Sequence, residues 1–368
     1  MNDAAVVSQL PAMPVQYEFV SVHRLVGFSY LPDEREIAID IGRADVAVSL
    51  VGNPNQLLAQ LDRSTAVGEL MLRAFVGQTV GADILKAVDQ RATEYATERA
   101  KQHGVPGVFL VLRAFGEIVS QETGISRDLG GAVLAFDAVD KEELKHVHQR
   151  LVTAALTAAV LAVDQASADL VKVTEGAFFT FSDGRPLYSM IGTVGGAKVS
   201  MARAPTDRDA SSIGTLTRQL SESGTLGNPS RLLVDALRSG EGRLEAFILA
   251  WAALEMLISK HSSGCESGSW VALVPEQLRP EANSLHAKFI AGGHRYYSLA
   301  DKVRVFALTY SLGDSEPLAA EVIDFKKRFR EPLYHQGTFS EPDLPVEAIT
   351  RLTKRLLRAV LDHALVGK

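Results

Sequence analysis

The residues of this chain that could do chemistry are mostly cations near its end. The densest basic run spans residues 326–330, and a second set recurs at i, i+3, i+4 and i+7 from Arg351, which places four cations on one face of a predicted helix. An ordinary solvated face would include acids at this spacing, and this one does not. The pattern predicts a surface that faces phosphate, with a solvated helix edge as the alternative. The residues with this predicted role are Lys326, Lys327, Arg328, Arg351, Lys354, Arg355 and Arg358.

Two further features involve single side chains. Glu255 lies eleven residues after Leu244, which returns it to the apolar face of its predicted helix. A carboxylate in that position is costly unless it is paired or hydrogen-bonded. Glu255 is therefore either a helix-edge residue that reaches solvent or a partly buried acid bound to an Arg from another helix. Arg330 and His335 follow with the spacing Arg-x4-His.

Alternating apolar residues and turn residues predict the elements of the first part of the chain. Ile37, Ile39 and Ile41 alternate with polar or small residues, as expected of a half-buried strand. Helices are predicted over 55–103 and, from a capping box at 140–143, to about residue 163. Residues 170–203 indicate a β-meander that turns at Asp183-Gly184 and Gly195-Gly196. The first part is therefore predicted as an α+β domain with antiparallel strands and helices.

After Pro205 the sequence indicates helices alone. Apolar stripes predict helices over about 242–260, 298–312, 316–329 and 345–363. The chain is therefore predicted to form two domains, an α+β domain of unknown role over 1–205 and an all-α domain over 206–368.

The charge of the chain is unevenly divided between these parts. The 368 residues include 38 basic and 44 acidic residues, which gives a formal net charge of −6. Residues 1–205 hold 18 basic and 24 acidic residues, and residues 206–368 hold 20 of each. Because binding to a polyanion requires local positive charge, the acid excess argues against a general polyanion binder. The second part can still carry basic patches.

Composition indicates a folded cytoplasmic protein. Hydrophobic residues are 46% and charged residues 22% of the chain, as in globular proteins. The single cysteine, Cys265, excludes an intrachain disulfide framework and is typical of a reducing compartment. Met1–Pro14 lacks the basic and apolar regions of a signal peptide. The apolar run Leu151–Val163 is too short to cross a bilayer of about 30 Å, so it predicts a buried helix and no membrane association.

The sequence predicts neither a metal site nor a cofactor. His261 and Cys265 have a metal-like spacing but supply only two ligands. His286 and His294 could complete such a site only if folding brought them close. No nucleotide-binding fingerprint or Ser-His-Asp arrangement is evident from the spacing.

The second part of the chain resembles the HEPN superfamily. The matching segments are Phe247–Ile258 (FILAWAALEMLI), a middle helix, Phe325–Gly337 (FKKRFREPLYHQG) and a Leu-rich terminal helix. Members are all-α bundles that often carry an Arg-x4–6-His motif, and the aromatic helix with Ala-Leu-Glu is similar to the ApeA-like subset. The resemblance implies an all-α, HEPN-like bundle for residues 206–368 and does not extend to residues 1–205.

The resemblance also implies metal-independent RNA cleavage by a homodimer. In such enzymes two subunits bring their motifs into one cleft, where a ribose 2′-OH attacks the neighbouring phosphodiester. His335 would transfer protons, because an imidazole titrates near neutral pH, and the planar fork of Arg330 would hold the phosphate. Glu255 would orient Arg330, and Tyr334 lies near the site in sequence. A role in defence or toxin-like growth control, with an antitoxin or defence partner protein, belongs to the same expectation.

Glu331 and Pro332 depart from the family motif. The position after the motif Arg is commonly Asn, Asp or His, and here it is Glu331. A second carboxylate in addition to Glu255 would repel RNA phosphate or neutralise Arg330. Pro332 disfavours helix at the residue before it, so either the motif begins a helix or its geometry differs. Two functions follow as alternatives. One is a hydrolase that cleaves single-stranded RNA, and the other is a non-catalytic module of the same fold that binds RNA, a nucleotide or a protein partner.

Overall fold

The computed structural model describes residues 8–26, 28, 31–32, 35–75, 84–103, 107–121, 123–128, 132–135, 138–162, 169–188, 206–238, 242–293, 296–313, 315–335 and 343–366. The chain forms two compact units. The sheet unit comprises residues 1–221 and 238–240, and the helical unit comprises residues 222–237 and 241–368.

In the described part of the sheet unit, nine strands form one sheet in the order β1-β6-β7-β9-β8-β2-β5-β4-β3. Neighbouring strands are antiparallel except β7 and β9, which are parallel. The strands are β1 (Ser8–Leu10), β2 (Pro14–Val26), β3 (Glu36–Ile39), β4 (Val46–Val51), β5 (Val108–Val119), β6 (Thr123–Asp128), β7 (Val133–Ala135), β8 (Asp169–Phe181) and β9 (Pro186–Tyr188).

Strand β2 lies inside the sheet, between β8 and β5, and is covered on both faces. Its residues are buried without interruption from Phe19 to Val26. On one face Val20 and Val22 pack with Leu58 and Leu61 of a helix. On the other face Val15 belongs to a cluster with residues of β7, β8 and β9 and with Leu144 of a second helix. A strand with two buried faces shows no polar alternation. Strand β3 has the expected period-2 burial pattern, and β4 has it from Val46 to Val48.

Four helices belong largely to the sheet unit in the described residues. They are α1 (Asn55–Phe75), α2 (Ile84–His103), α3 (Lys141–Ala162) and α4 (Asp207–Glu222). The N–H of Glu143 donates to Asp140 Oδ1 at 2.9 Å, which confirms the Asp140 half of the capping box predicted at the start of α3. The apolar run that begins at Leu151 is buried in α3. Among the described residues, no helix combines the length and the apolar composition needed to cross a lipid bilayer.

Helix α4 packs with the sheet unit, so the two units divide near residue 221 instead of after Pro205. A Cβ on Gly214 would come within 2.4 Å of the Asp40 carbonyl oxygen, so the helix backbone approaches the strand end closely. Arg218 Nε also donates to the Ile41 carbonyl at 3.5 Å. The apolar stripe of α4 therefore belongs to the core of the sheet unit.

The hairpin after β8 follows the sequence prediction. Gly184 has a φ of +84°, a conformation that its missing side chain permits. The N–H of Phe181 donates to the Arg185 carbonyl across this turn. The second predicted turn, Gly195-Gly196, lies outside the described residues.

The helical unit contains helices alone within its described residues. The α-helices are α5 (Gly227–Ala236), α6 (Arg243–His261), α7 (Arg279–Ala291), α8 (Leu299–Thr309), α9 (Ser315–Phe325), α10 (Glu331–His335) and α11 (Val346–Val366). Short 3-10 segments cover Cys265–Ser267, Ser269–Leu273 and Glu276–Leu278. Helix α6 packs against α5, α8 and α11. It buries Phe247, Trp251 and Leu254, so it forms the centre of this unit.

Two sets of side-chain contacts stabilise α8 and its packing on α9, the helices that precede the basic run. Ser298 and Asp301 form a reciprocal capping box at the start of α8. Arg304 of α8 donates from Nε and Nη2 to the two carboxylate oxygens of Glu316, both at 2.9 Å. This paired contact ties α8 to the first turn of α9.

Candidate functional site around Arg330

The basic run lies inside one continuous helix. Helix α9 passes into a π-helical turn, Lys326–Arg330, and then into α10. In this turn the N–H of Glu331 donates to the Lys326 carbonyl, five residues earlier. Pro332 has no N–H, and in a regular α-helix its ring clashes with the carbonyl four residues earlier. A wider turn directly before Pro332 relieves that conflict, and π turns inside α-helices often occur at functional sites.

The π turn brings Arg330 close to Glu255 of α6. Arg330 Nη2 lies 3.9 Å from Glu255 Oε1, and the two side chains are 30% and 35% exposed. This distance exceeds that of a hydrogen bond, so the contact is an electrostatic one. Glu255 therefore lies at the border of the buried stripe of α6, partly exposed and beside an Arg from another helix.

The same turn pairs Glu331 with Lys326. Lys326 Nζ lies 3.2 Å from Glu331 Oε1. Residues five apart lie about 140° apart around a regular α-helix, so this contact depends on the wider π turn. The carboxylate that follows the motif Arg is thus bound to a Lys at the other end of the turn.

The remaining residues of the basic run have separate surroundings. Arg328 Nη1 lies 3.1 Å from Asp324 Oδ2, and its guanidinium lies 5.3 Å from the ring centroid of Phe329. The Phe329 ring contacts Phe247 of α6 at a centroid distance of 6.5 Å. Lys327 is exposed. The aromatic contact anchors the turn on α6, and the cations lie on its outer side or beside acids.

The four cations of α11 do not form a uniform stripe. Arg351 and Arg355 are exposed, and Arg355 Nη2 donates to the Leu312 carbonyl at 2.9 Å. Lys354 is buried. Arg358 Nε donates to Asp362 Oδ1 at 3.0 Å. Asp362, one turn after Arg358, thus places an acid beside the predicted phosphate-facing cations. Lys354 is buried, unlike Arg351 and Arg355.

The last two residues of α10 are Tyr334 and His335. Their backbone continues the helix that carries Arg330. Their side chains lie outside the described part of the structure, so the geometry stated for this site is that of Arg330, Glu255, Glu331 and Lys326.

The histidines considered for a metal site have other partners. His261 Nδ1 lies 2.6 Å from the Tyr310 hydroxyl, and His286 Nδ1 lies 2.9 Å from the Tyr297 hydroxyl. Burial raises the pKa of the Cys265 thiol to about 11, which keeps it protonated. His294 lies outside the described residues. No group of three or more His, Cys, Asp or Glu side chains within the described ranges could hold a metal ion.

A buried polar pair in the sheet unit was not anticipated from the sequence. Ser21 Oγ lies 2.9 Å from His23 Nε2 in β2, and both side chains are buried. Burial lowers the pKa of His23 to about 3, and the nearby charges of Lys172 and Arg238 act in the same direction. Ser21 and His23 are two residues apart, and residues at that spacing on a strand lie on the same face. This spacing was the signal in the sequence that could have predicted the pair. Because both side chains are inside the sheet unit, the pair belongs to its core.

Comparison with known proteins yields no relative for this chain: no family model matches it, and no curated protein or solved structure is detectably similar.

Proposed function

We propose that the helical unit is a HEPN-like endoribonuclease that cleaves single-stranded RNA without a metal ion, through Arg330 and His335. The observation that carries the proposal is the contact between Glu255 and Arg330, at 3.9 Å. It gives the motif Arg an acid from the central helix α6, at a π turn that interrupts an α-helix. Such a contact restricts the guanidinium while leaving part of it exposed to a ligand.

The proposed reaction is transesterification within the RNA strand. The ribose 2′-OH attacks the neighbouring phosphorus, the bond from phosphorus to the 5′-oxygen breaks, and a 2′,3′-cyclic phosphate and a 5′-hydroxyl result. His335 accepts the proton of the 2′-OH, and the His335 of a second copy donates a proton to the leaving 5′-oxygen. Arg330 neutralises the charge that develops on the phosphate oxygens.

A second candidate function is favoured by the ion pairs around the site. Lys326, Arg328 and Arg358 each lie beside an acid of their own helix segment. These acids reduce the local positive potential that RNA binding needs. A non-catalytic module of the same fold that binds a protein partner would tolerate this arrangement, since it needs neither phosphate binding nor charge stabilisation of a transition state.

Cleavage of labelled single-stranded RNA in EDTA separates the two candidates. Wild type is compared with Arg330→Ala and His335→Ala, and the matched controls are Arg231→Ala and His146→Ala, at exposed positions of α5 and α3. The ribonuclease proposal expects loss of cleavage in the two motif variants and normal rates in the controls. If wild type cuts no faster than Arg330→Ala on several RNAs, the enzyme proposal is rejected.

Light scattering after gel filtration tests the dimer, and a monomer would exclude a site composed of two copies.

A further inference from the structure

The π turn separates two charges that sequence alone places side by side. Glu331 directly follows Arg330, so its carboxylate would stand beside the same RNA phosphate. In the structure the Glu331 carboxylate lies 3.2 Å from Lys326 Nζ, and Arg330 lies beside Glu255 instead. Each member of the adjacent Arg–Glu pair therefore has a partner of opposite charge elsewhere.

We propose that Lys326 is a positioning residue, which holds the Glu331 carboxylate away from the RNA phosphate bound at Arg330. The inference rests on the proposed function, because it assigns Lys326 a task within the same site. It replaces the earlier expectation that Lys326 contacts RNA directly. The two roles of Lys326 differ when Glu331 is removed. If Lys326 holds the Glu331 carboxylate, the loss of Lys326 no longer matters without Glu331; if Lys326 contacts the RNA phosphate, its loss still slows cleavage.

The geometry supports the positioning role in two ways. The pair spans the π turn end to end, with the Glu331 N–H also bonded to the Lys326 carbonyl. Both side chains are partly exposed, at 31% and 41%, so the carboxylate would be accessible to a bound polyanion once Lys326 is removed. Two like charges closer than about 8 Å repel one another even in physiological salt, although water weakens the repulsion.

The test is a double-mutant cycle on RNA cleavage in EDTA. The variants are Lys326→Met, Glu331→Gln, the combination of both, and the conservative Lys326→Arg. Lys327→Met removes one positive charge from the neighbouring exposed position and reports the general effect of charge on RNA binding. Thermal unfolding of each variant, followed by tryptophan fluorescence, verifies that the helical unit is folded.

We expect Lys326→Met to cleave about fivefold more slowly than wild type, the scale of an exposed ion pair. The loss in Lys327→Met should be smaller, and Lys326→Arg should retain the wild-type rate. Adding Glu331→Gln to Lys326→Met should restore the rate of Glu331→Gln alone. Equal losses in Lys326→Met and Lys327→Met without rescue by Glu331→Gln would overturn the positioning role, and would show that Lys326 acts as an ordinary cation.

A failure of the proposed function gives a different result. If wild type does not cut RNA, the ribonuclease proposal is rejected, and the same variants are titrated with fluorescein-labelled RNA by anisotropy. Rescue of binding by Glu331→Gln then supports the positioning role in a binding module. A wild-type protein that neither cuts nor binds RNA overturns both proposals.

Discussion

The carboxylate of Glu255 lies 3.9 Å from Nη2 of Arg330, and thereby joins the central helix α6 to the π turn after α9. Both side chains are about one-third exposed. An ion pair at this exposure contributes about 1 kcal/mol or less to stability. Its main effect is therefore on the orientation of the Arg330 guanidinium. A substitution of Glu255 should lower activity while leaving the free energy of unfolding nearly unchanged.

Replacing Glu255 with Gln should reduce RNA cleavage about tenfold in kcat, with little change in KM and a loss of stability below about 1 kcal/mol. The Gln keeps the shape of the side chain and removes the charge that orients Arg330. Glu245→Gln, at an exposed position in the first turn of the same helix, is the matched control. Cleavage kinetics and urea unfolding measure the two effects. Equal rates in the two variants would contradict a role of Glu255 in orienting Arg330.

The elements with one buried face could be predicted from the sequence. Helices α6, α9 and α11 and strands β3 and β4 have clear apolar periods, because each packs on one side of a core. Strand β2 lacks such a period over Phe19–Val26, because both of its faces are buried. Periodicity also could not assign α4 to the sheet unit. An apolar stripe shows that one face of a helix is buried, but it does not show which unit covers that face.

The site was predictable from the residues alone only in part. The position of Glu255 in the apolar stripe of α6 left two alternatives, contact with solvent or an Arg partner, and only the family resemblance named Arg330 as that partner. Periodicity could not choose, because the pairing depends on how α6 packs against the helix of the basic run. The Lys326–Glu331 pair was missed because helical pairing rules consider residues three and four apart. Pro332 was the signal that regular helix geometry fails at this point. Asp362, which pairs with Arg358, lies one helical turn after the cations predicted over 351–358. The prediction of a face without acids therefore did not include it.

His23 should make the sheet unit less stable in mild acid. Its pKa of about 3 in the folded state lies below the 6.5 of an ordinary imidazole, so the unfolded chain binds the proton first as the pH falls. The contribution of His23 to stability is thus complete above about pH 6.5 and is lost progressively down to about pH 3. Between pH 6.5 and pH 5 the expected loss is about 1.6 kcal/mol.

Urea unfolding followed by hydrogen exchange of peptides from β2 measures this loss, because both tryptophans, Trp251 and Trp270, lie in the helical unit. In His23→Gln the stability of the sheet unit should fall less steeply over the same pH range. His146→Gln, at an exposed position on α3, should behave as wild type. An identical pH dependence in His23→Gln and wild type would rule out the assignment to His23.

The Cys265 thiol should be inert in the folded protein. It is 1% exposed, and burial together with Glu266 raises its pKa to about 11. Thiol reagents attack the thiolate, so reaction with a disulfide reagent at pH 8 should be at least about a hundredfold slower than in guanidinium chloride. Absorbance of the released thiolate follows both reactions. Rapid stoichiometric labelling in native buffer would show that this part of the helical unit opens readily.

Gly268 and Gly264 offer a matched test of packing around His286. Both have φ near +75°, so an Ala at either position has the same backbone strain, about 1 kcal/mol. A Cβ on Gly264 has nothing within 4 Å, whereas one on Gly268 would come within 2.4 Å of His286 Nε2. The His286 ring is held by the Tyr297 hydroxyl at 2.9 Å and stacks on Phe289, so it cannot yield freely.

Gly268→Ala should therefore destabilise the helical unit by roughly 1–3 kcal/mol more than Gly264→Ala, the range for overpacking a filled site. Urea unfolding followed by tryptophan fluorescence measures both, since Trp270 packs in the same cluster as Tyr297. Adding His286→Ala to Gly268→Ala removes the obstructing ring and should recover most of the difference. If the two glycine variants lose equal stability, backbone strain alone is responsible. In that case the ring of His286 moves aside at no cost despite its bond to Tyr297.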